Sequence, residues 1–193
     1  MLFRSYFLLR EVGFDNDGDF TWQRFDARYT SELADTIGNL VSRALTMIGN
    51  YRGGTVPGDP CNYDTPLEAG ARGALAAYAR AMDANRLQEG AAQLVALASA
   101  ANRYVEETAP YKLAKQPEKA AELDSVLANL ARTVARIAVL AQPFTPAAAG
   151  AVWATLGATP TSPLERVRLR DLDALDPAGW QVQKPPILFP KPR

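Results

Sequence analysis

The sequence contains no histidine. Imidazole is the commonest general base near neutral pH and the commonest metal ligand, so hydrolytic dyads and zinc chemistry are not expected here. Cysteine occurs once, at Cys61, which excludes an intramolecular disulfide and any Cys-x-x-Cys metal pair. No stretch reaches the ~18 consecutive apolar residues of a membrane-crossing helix. The apolar opening Met1-Leu-Phe-Arg-Ser-Tyr-Phe-Leu-Leu9 reads as too short and too interrupted for a secretory leader. Net charge is missing too: 21 basic and 21 acidic side chains cancel. No global basic field advertises nucleic acid, so any RNA binding must rest on a local patch. The cytoplasm is the expected compartment, and neither a membrane nor DNA is an expected partner.

What is present is ordinary for a globular chain of 193 residues, with 48% hydrophobic and 22% charged side chains. Alanine is abundant, which favours helix. The stretch Ser31 to Ile48 predicts the central helix of a bundle. Leu33, Ile37, Leu40, Val41, Ala44, Met47 and Ile48 form an apolar stripe on it, and Asp35, Asn39, Ser42, Arg43 and Thr46 fall on the other side. Asn39 and Arg43 are one turn apart, so an amide and a guanidinium fork can reach a common target such as a base edge or a phosphate. The same residues also fit a solvated polar face.

Before that helix, residues 2–11 read as a short apolar helix. Its rings need something to pack on, either a missing domain or the bundle itself. Gly13 to Asp19 is turn chemistry. Its alternating Asp15, Asp17 and Asp19 lack the glutamate of a calcium loop, Asp26 standing in that place, so a plain loop is expected. Thr21 offers an N-cap, and a bend is expected before Ser31. Gly49 to Pro60 ends the central helix and forms a loop, with glycine and proline as the breakers. Gly53-Gly54 within it lacks the lysine and hydroxyl residue of a phosphate loop. Thr65-Pro-Leu-Glu68 predicts a helix start with a reciprocal capping box. Three further stripes follow: Leu67, Ala71, Ala74, Tyr78, Met82; Leu87, Ala91, Leu94, Ala98, Ala101, Val105, Thr108; and Leu123, Leu127, Leu130, Val134, Ile137, Ala141. With the central helix they predict an all-α, antiparallel four-helix bundle with short connections. A short helix holding Val152, Trp153 and Leu156 closes it. Residues 158–193 read as a linker and a proline-rich extended tail, of a kind that can serve as a ligand for a proline-binding module.

Several runs carry a resemblance in collinear order: Tyr6-Phe-Leu-Leu-Arg-Glu11, Asp17-Gly-Asp-Phe20, Gly38-Asn-Leu-Val-Ser-Arg43, Ala101 through Lys115, Pro143-Phe-Thr-Pro146 with Trp153, and Leu188-Phe-Pro190. Together they cover nearly the whole chain and resemble the C-terminal, anticodon-binding part of the methionyl-tRNA synthetases. The Gly-Asn-Leu-Val-Ser-Arg run and the Ala-Pro-Tyr step favour this family over the related leucine, isoleucine, valine and cysteine enzymes. The resemblance implies that residues 1–20 end the connection to a catalytic domain, 21–157 form the helical anticodon-binding domain, and 158–193 form a linker and a tail that packs back on the body rather than a ligand for a proline-binding module. The start then reads as a truncation. The family's histidine-glycine signature, lysine-rich loop and zinc insert would lie upstream, and the C-terminal tRNA-binding barrel of some members is not expected within residues 1–193.

The resemblance also implies a site. Asn39, Arg43, Pro110 and Tyr111 would bind RNA, Asn39 and Arg43 reading base edges and Tyr111 stacking on the first base of a CAU anticodon in tRNA-Met. Many members have tryptophan at the position of Tyr111, so weaker stacking is expected. Lys112, Lys115, Lys119, Arg52 and Arg103 are candidates for phosphate contacts, and Asn102-Arg103 could instead buttress Glu106 or Glu107. No catalytic residue, cofactor or metal is expected in this chain. ATP, and zinc in some members, belong to the parent enzyme, methionine–tRNA ligase. Two other readings stay open: a free-standing RNA-binding module without catalysis, and a helical interaction protein whose polar face is only solvated.

Overall fold

Helix α7 (Ala120–Ala141) is enclosed on all sides: every residue from Ser125 to Ala141 is buried. The computed structural model describes residues 3–11, 20–158 and 163–190, and all that follows concerns those residues. The turn at 13–19, most of the 159–163 linker and the last three residues lie outside them. Around α7 stand α3 (Asn39–Arg52), α4 (Pro66–Asp83), α5 (Leu87–Thr108), α6 (Pro110–Leu113) and α8 (Pro146–Thr155). The all-α bundle is as the sequence predicts, but its centre is α7 and not the Ser31–Ile48 stretch. Small and β-branched residues fill the faces beside the leucine stripe of α7, and its buried polar side chains Asn129, Arg132 and Arg136 find partners on the elements that cover it.

The Ser31–Ile48 stretch is itself part of a longer helical run. Helix α2 (Trp22–Arg28) begins at Thr21, whose hydroxyl accepts the Arg24 N–H, and continues without a break through Tyr29–Gly38 into α3. The expected bend before Ser31 is absent. Tyr29–Gly38 is wound as a wide π-helix, which absorbs the change of register that a bend would have supplied. The Thr36 hydroxyl donates to the Ser31 carbonyl five residues back at 2.7 Å. Asn102 on α5 donates to the Thr36 carbonyl at 2.9 Å, which ties the wide segment to its neighbour.

Helix α1 (Phe3–Glu11) packs against α5, with Tyr6 and Phe7 buried. The Tyr6 hydroxyl donates to Glu32, which also receives Arg10 and Arg28. Burial, and then the Glu32 carboxylate, hold the Tyr6 phenol far above its usual value.

Helix α4 starts as predicted, with Thr65 accepting the Glu68 N–H and Pro66 at the first position. The reciprocal half of the capping box does not form. Glu68 instead turns into the core and takes a two-pronged ion pair from Arg136 of α7, at 2.5 and 2.9 Å. Arg136 is fully buried, so its charge needs that partner more than the helix start needs a second cap. Arg136 also donates to the Leu172 carbonyl at 3.1 Å, and Arg132 to the Asp173 carbonyl. The Arg132 guanidinium lies over the Tyr63 ring, 4.1 Å from its centroid. Burial alone would raise the Glu68 carboxyl, but the hydrogen bonds and charge of Arg136, with Arg132 and Arg72, hold it below the usual carboxylate value.

Helix α3 runs past Gly49, where the sequence places the start of the loop, and stops at Arg52; the connection from there to α4 carries a pairing with the tail. Thr55 and Gln181 form an isolated antiparallel bridge. Val56 N–H donates to Trp180 O, and Val182 N–H to Gly54 O. Gly53 and Gly54 both take positive φ, and the Gly54 N–H donates to the Ile48 carbonyl, so these amides end a helix and cradle no phosphate. Farther along, Phe189 is buried against Tyr29, whose hydroxyl donates to the Pro190 carbonyl at 2.8 Å. Gly38 allows a close approach beneath that ring: a Cβ there would lie 3.2 Å from both Phe189 Cδ2 and the Leu33 carbonyl oxygen, tighter than an ordinary contact.

Candidate nucleic-acid interface

Asn39 and Arg43 emerge from α3 on one side, as the heptad arithmetic requires, with Asn39 exposed and Arg43 partly so. Leu40, Val41 and Ala44 beside them are fully buried and hold the helix face in place. The Arg43 guanidinium donates to Glu106 of α5 at 2.6 Å. That bridge fixes Arg43 at the C-terminal end of α5, the end from which Tyr111 follows. An arginine carries five N–H donors, so one ion pair orients the fork and leaves donors for a ligand.

The step from α5 to α6 is abrupt. Ala109 sits in the left-handed region at φ 43°, ψ 60°, an uncommon conformation for a residue with a Cβ. Pro110 then opens α6 with its fixed φ and no N–H to satisfy. Pro110 and Leu113 are buried on the bundle, while Tyr111 between them is 51% exposed. A large ring held this far into solvent by buried neighbours is a surface feature, not a slack core residue. The Lys112 ammonium lies 5.9 Å from the centroid of the Tyr111 ring, which adds positive charge beside it.

Other candidates separate. Lys115 and Arg103 are exposed. Arg52 is tied to Asp124 at 2.5 Å and to the Ala120 and Tyr51 carbonyls, so it anchors the start of α7. Lys119 pairs with Glu122 at 3.7 Å. Asn102 does not buttress Glu106 or Glu107 but bonds to the Thr36 carbonyl across the helix interface. The partner of Glu106 is Arg43, a pairing sixty-three residues apart that no local spacing reveals. No group of three or more His, Cys, Asp or Glu among the described residues could hold a metal ion.

Comparison with known proteins gives this geometry a family. Residues 56–192, well over half the chain, match the model described as the anticodon binding domain of methionyl tRNA ligase. The chain belongs to that family. A second model, of class I tRNA synthetases (M), matches residues 2–45. Asn39 and Arg43 therefore fall in the synthetase match, while Pro110 and Tyr111 fall in the anticodon-binding domain match. Among curated relatives, the methionine–tRNA ligase of Enterococcus faecalis is 37% identical over 158 residues, covering 80% of this chain and 24% of its own length. That of Listeria monocytogenes is 36% identical over 195 residues, covering 96% of this chain and 28% of its own. Among solved structures, apo methionyl-tRNA synthetase of Mycobacterium tuberculosis superposes with a TM-score of 0.87 at 26% identity, over 98% of this chain and 38% of that one. The chain thus spans about a quarter to two fifths of the relatives it matches. In methionyl-tRNA ligase terms, what is described here is the helical anticodon-binding part.

Proposed function

We propose that this chain reads the CAU anticodon loop of tRNA-Met, as part of an enzyme that joins methionine to that tRNA at the expense of ATP in the cytoplasm. The observation that carries the reading is the half-exposed Tyr111 ring, pinned by buried Pro110 and Leu113, at the end of the molecule where Glu106 holds Arg43. Single-stranded loops are recognised by splaying bases onto aromatic rings and bonding their edges. Tyr111 supplies the stacking face, Arg43 and Asn39 supply the edge contacts, and Lys112 and Lys115 supply charge for phosphates. Methionine activation, with its ATP and in some members zinc, belongs to the catalytic domain, which these residues do not contain.

The test is a titration with a fluorescent anticodon stem-loop. Arg43→Ala should weaken binding by about 1–3 kcal/mol, the range for a good base contact. Tyr111→Ala should cost about 1–3 kcal/mol, the range for a base–aromatic stack, while Tyr111→Trp should match or exceed wild type. Unchanged affinity in both alanine variants, with the fold intact, would refute the reading.

A further inference from the structure

From the geometry of the α3 surface we infer that the groove between α3 and the C-terminal tail is a second nucleotide subsite, which holds an anticodon-loop nucleotide outside the anticodon; this rests on the RNA-binding reading above. At about 100° per residue, Asn39, Arg43, Thr46 and Asn50 fall within an arc of roughly 60° on α3. They form one polar stripe. Its first half is the pair already described, and its second half, Thr46 and Asn50, lines a groove of about 320 Å3 closed by Val182, Gln183, Lys184 and Pro185. The groove begins within about 10 Å of Arg43 along the helix axis, which is within reach of a strand bound at Arg43.

The groove suits one nucleotide. Its volume is at the lower end of the range for small-ligand sites, about 300–1,000 Å3. Leu45, Val182 and Pro185 give apolar walls for a base face, Thr46, Asn50 and Gln183 give hydroxyl and amide groups for its edge, and exposed Lys184 gives a cation for a phosphate. The far wall is preformed, because Val182 N–H donates to Gly54 O and Gln183 N–H to Thr155 O, both at 2.8 Å.

Gly49 makes the assignment sharper. It lines this groove in the interior of α3, where glycine costs about 1 kcal/mol relative to alanine. Packing does not demand it, since a Cβ added there would meet nothing within 4 Å. Without a side chain at Gly49, a ligand in the groove can approach the α3 backbone closely.

The experiment uses the full chain and an anticodon stem-loop carrying CAU, together with versions in which each loop nucleotide outside the anticodon is replaced in turn by an abasic residue. Wild type should lose about fivefold in affinity at one of these positions, the worth of one net hydrogen-bonded contact. Gly49→Leu should bind the intact loop about fivefold more weakly and no longer respond to that abasic change, while its melting temperature equals or exceeds wild type. Lys184→Ala should lower the salt dependence by about one phosphate contact. If Gly49→Leu and Lys184→Ala bind like wild type while Arg43→Ala still loses affinity, the groove is not a nucleotide site and the anticodon reading stands. If wild type binds no loop at all, both fail together.

Discussion

Removing the charge of Glu68 should destabilise the whole bundle, because it leaves Arg136 charged in the core. Arg136 is fully buried and Glu68 nearly so, and two short hydrogen bonds join them. Glu68→Gln preserves shape and one acceptor but deletes the counter-charge. Breaking one side of a buried pair costs about 3–5 kcal/mol. Two features decide where in that range the effect falls. The Leu172 carbonyl and the Asp173 carboxylate, 3.9 Å away, remain for Arg136 and reduce the loss. Arg132, 3.7 Å from Glu68, loses the same counter-charge and increases it. A loss of about 3 kcal/mol corresponds, at about 2–4 °C per kcal/mol for this size, to a fall of roughly 10 °C in Tm. Thermal unfolding followed by circular dichroism reads it directly. The pH dependence gives a second signature. The folded Glu68 carboxyl lies below its usual value of 4.5, so its contribution is complete above that value and is lost as pH falls through the folded one. The acid side of the wild-type stability curve should therefore be steeper than that of Glu68→Gln. Replacing both partners, as Glu68→Leu with Arg136→Met, should recover most of the loss. A Tm shift below about 2 °C for Glu68→Gln would refute the reasoning.

Gly157→Ala should detach the tail, since φ is +76° there and a Cβ would sit 2.1 Å from the Gln181 carbonyl oxygen. The Gln183 amide should lose its hydrogen-exchange protection as its bond to Thr155 breaks. Ala109→Gly should raise stability by up to about 1 kcal/mol, because it removes the cost of a left-handed alanine; a fall in Tm would show that this turn is not strained. Burial raises the Tyr78 phenol to about 12. Its contribution is therefore complete below the ordinary phenol value of 10.0 and is lost as pH rises towards the folded one. Tyr78→Phe should flatten that alkaline loss and cost about 1 kcal/mol at neutral pH for the bond to Leu140 O.

Much of this molecule is legible in local spacing. The stripes of α3, α5 and α7 and the Thr21 and Thr65 caps follow from periodicity and capping chemistry, while α3 runs past Gly49, where the sequence ends it, to Arg52. What spacing misses is long-range. The enclosure of α7 depends on which faces its neighbours cover, and the stripe at Leu123 to Ala141 is compatible with a half-exposed helix. Glu68 reads as a capping glutamate until Arg136 is brought to it across sixty-eight residues. The wide turn before Gly38 leaves no composition signal, since every residue in it also suits an ordinary helix. In the candidate site, Asn39 and Arg43 share a face by arithmetic alone. Pairing Arg43 with Glu106, and seating Val182 to Pro185 over Thr46 and Asn50, requires the fold. The polar stripe could have been followed to Asn50 from the sequence, but nothing in the sequence supplies its opposite wall.

The measurement that tests the central claim most directly is a titration of the full chain with an anticodon stem-loop carrying CAU, beside one differing only in carrying GAU, at one fixed salt concentration. The account predicts tighter binding to CAU, and loss of that preference in Arg43→Ala, because Asn39 and Arg43 are assigned the base edges while stacking on Tyr111 tolerates any base. Equal affinity for the two loops would contradict it.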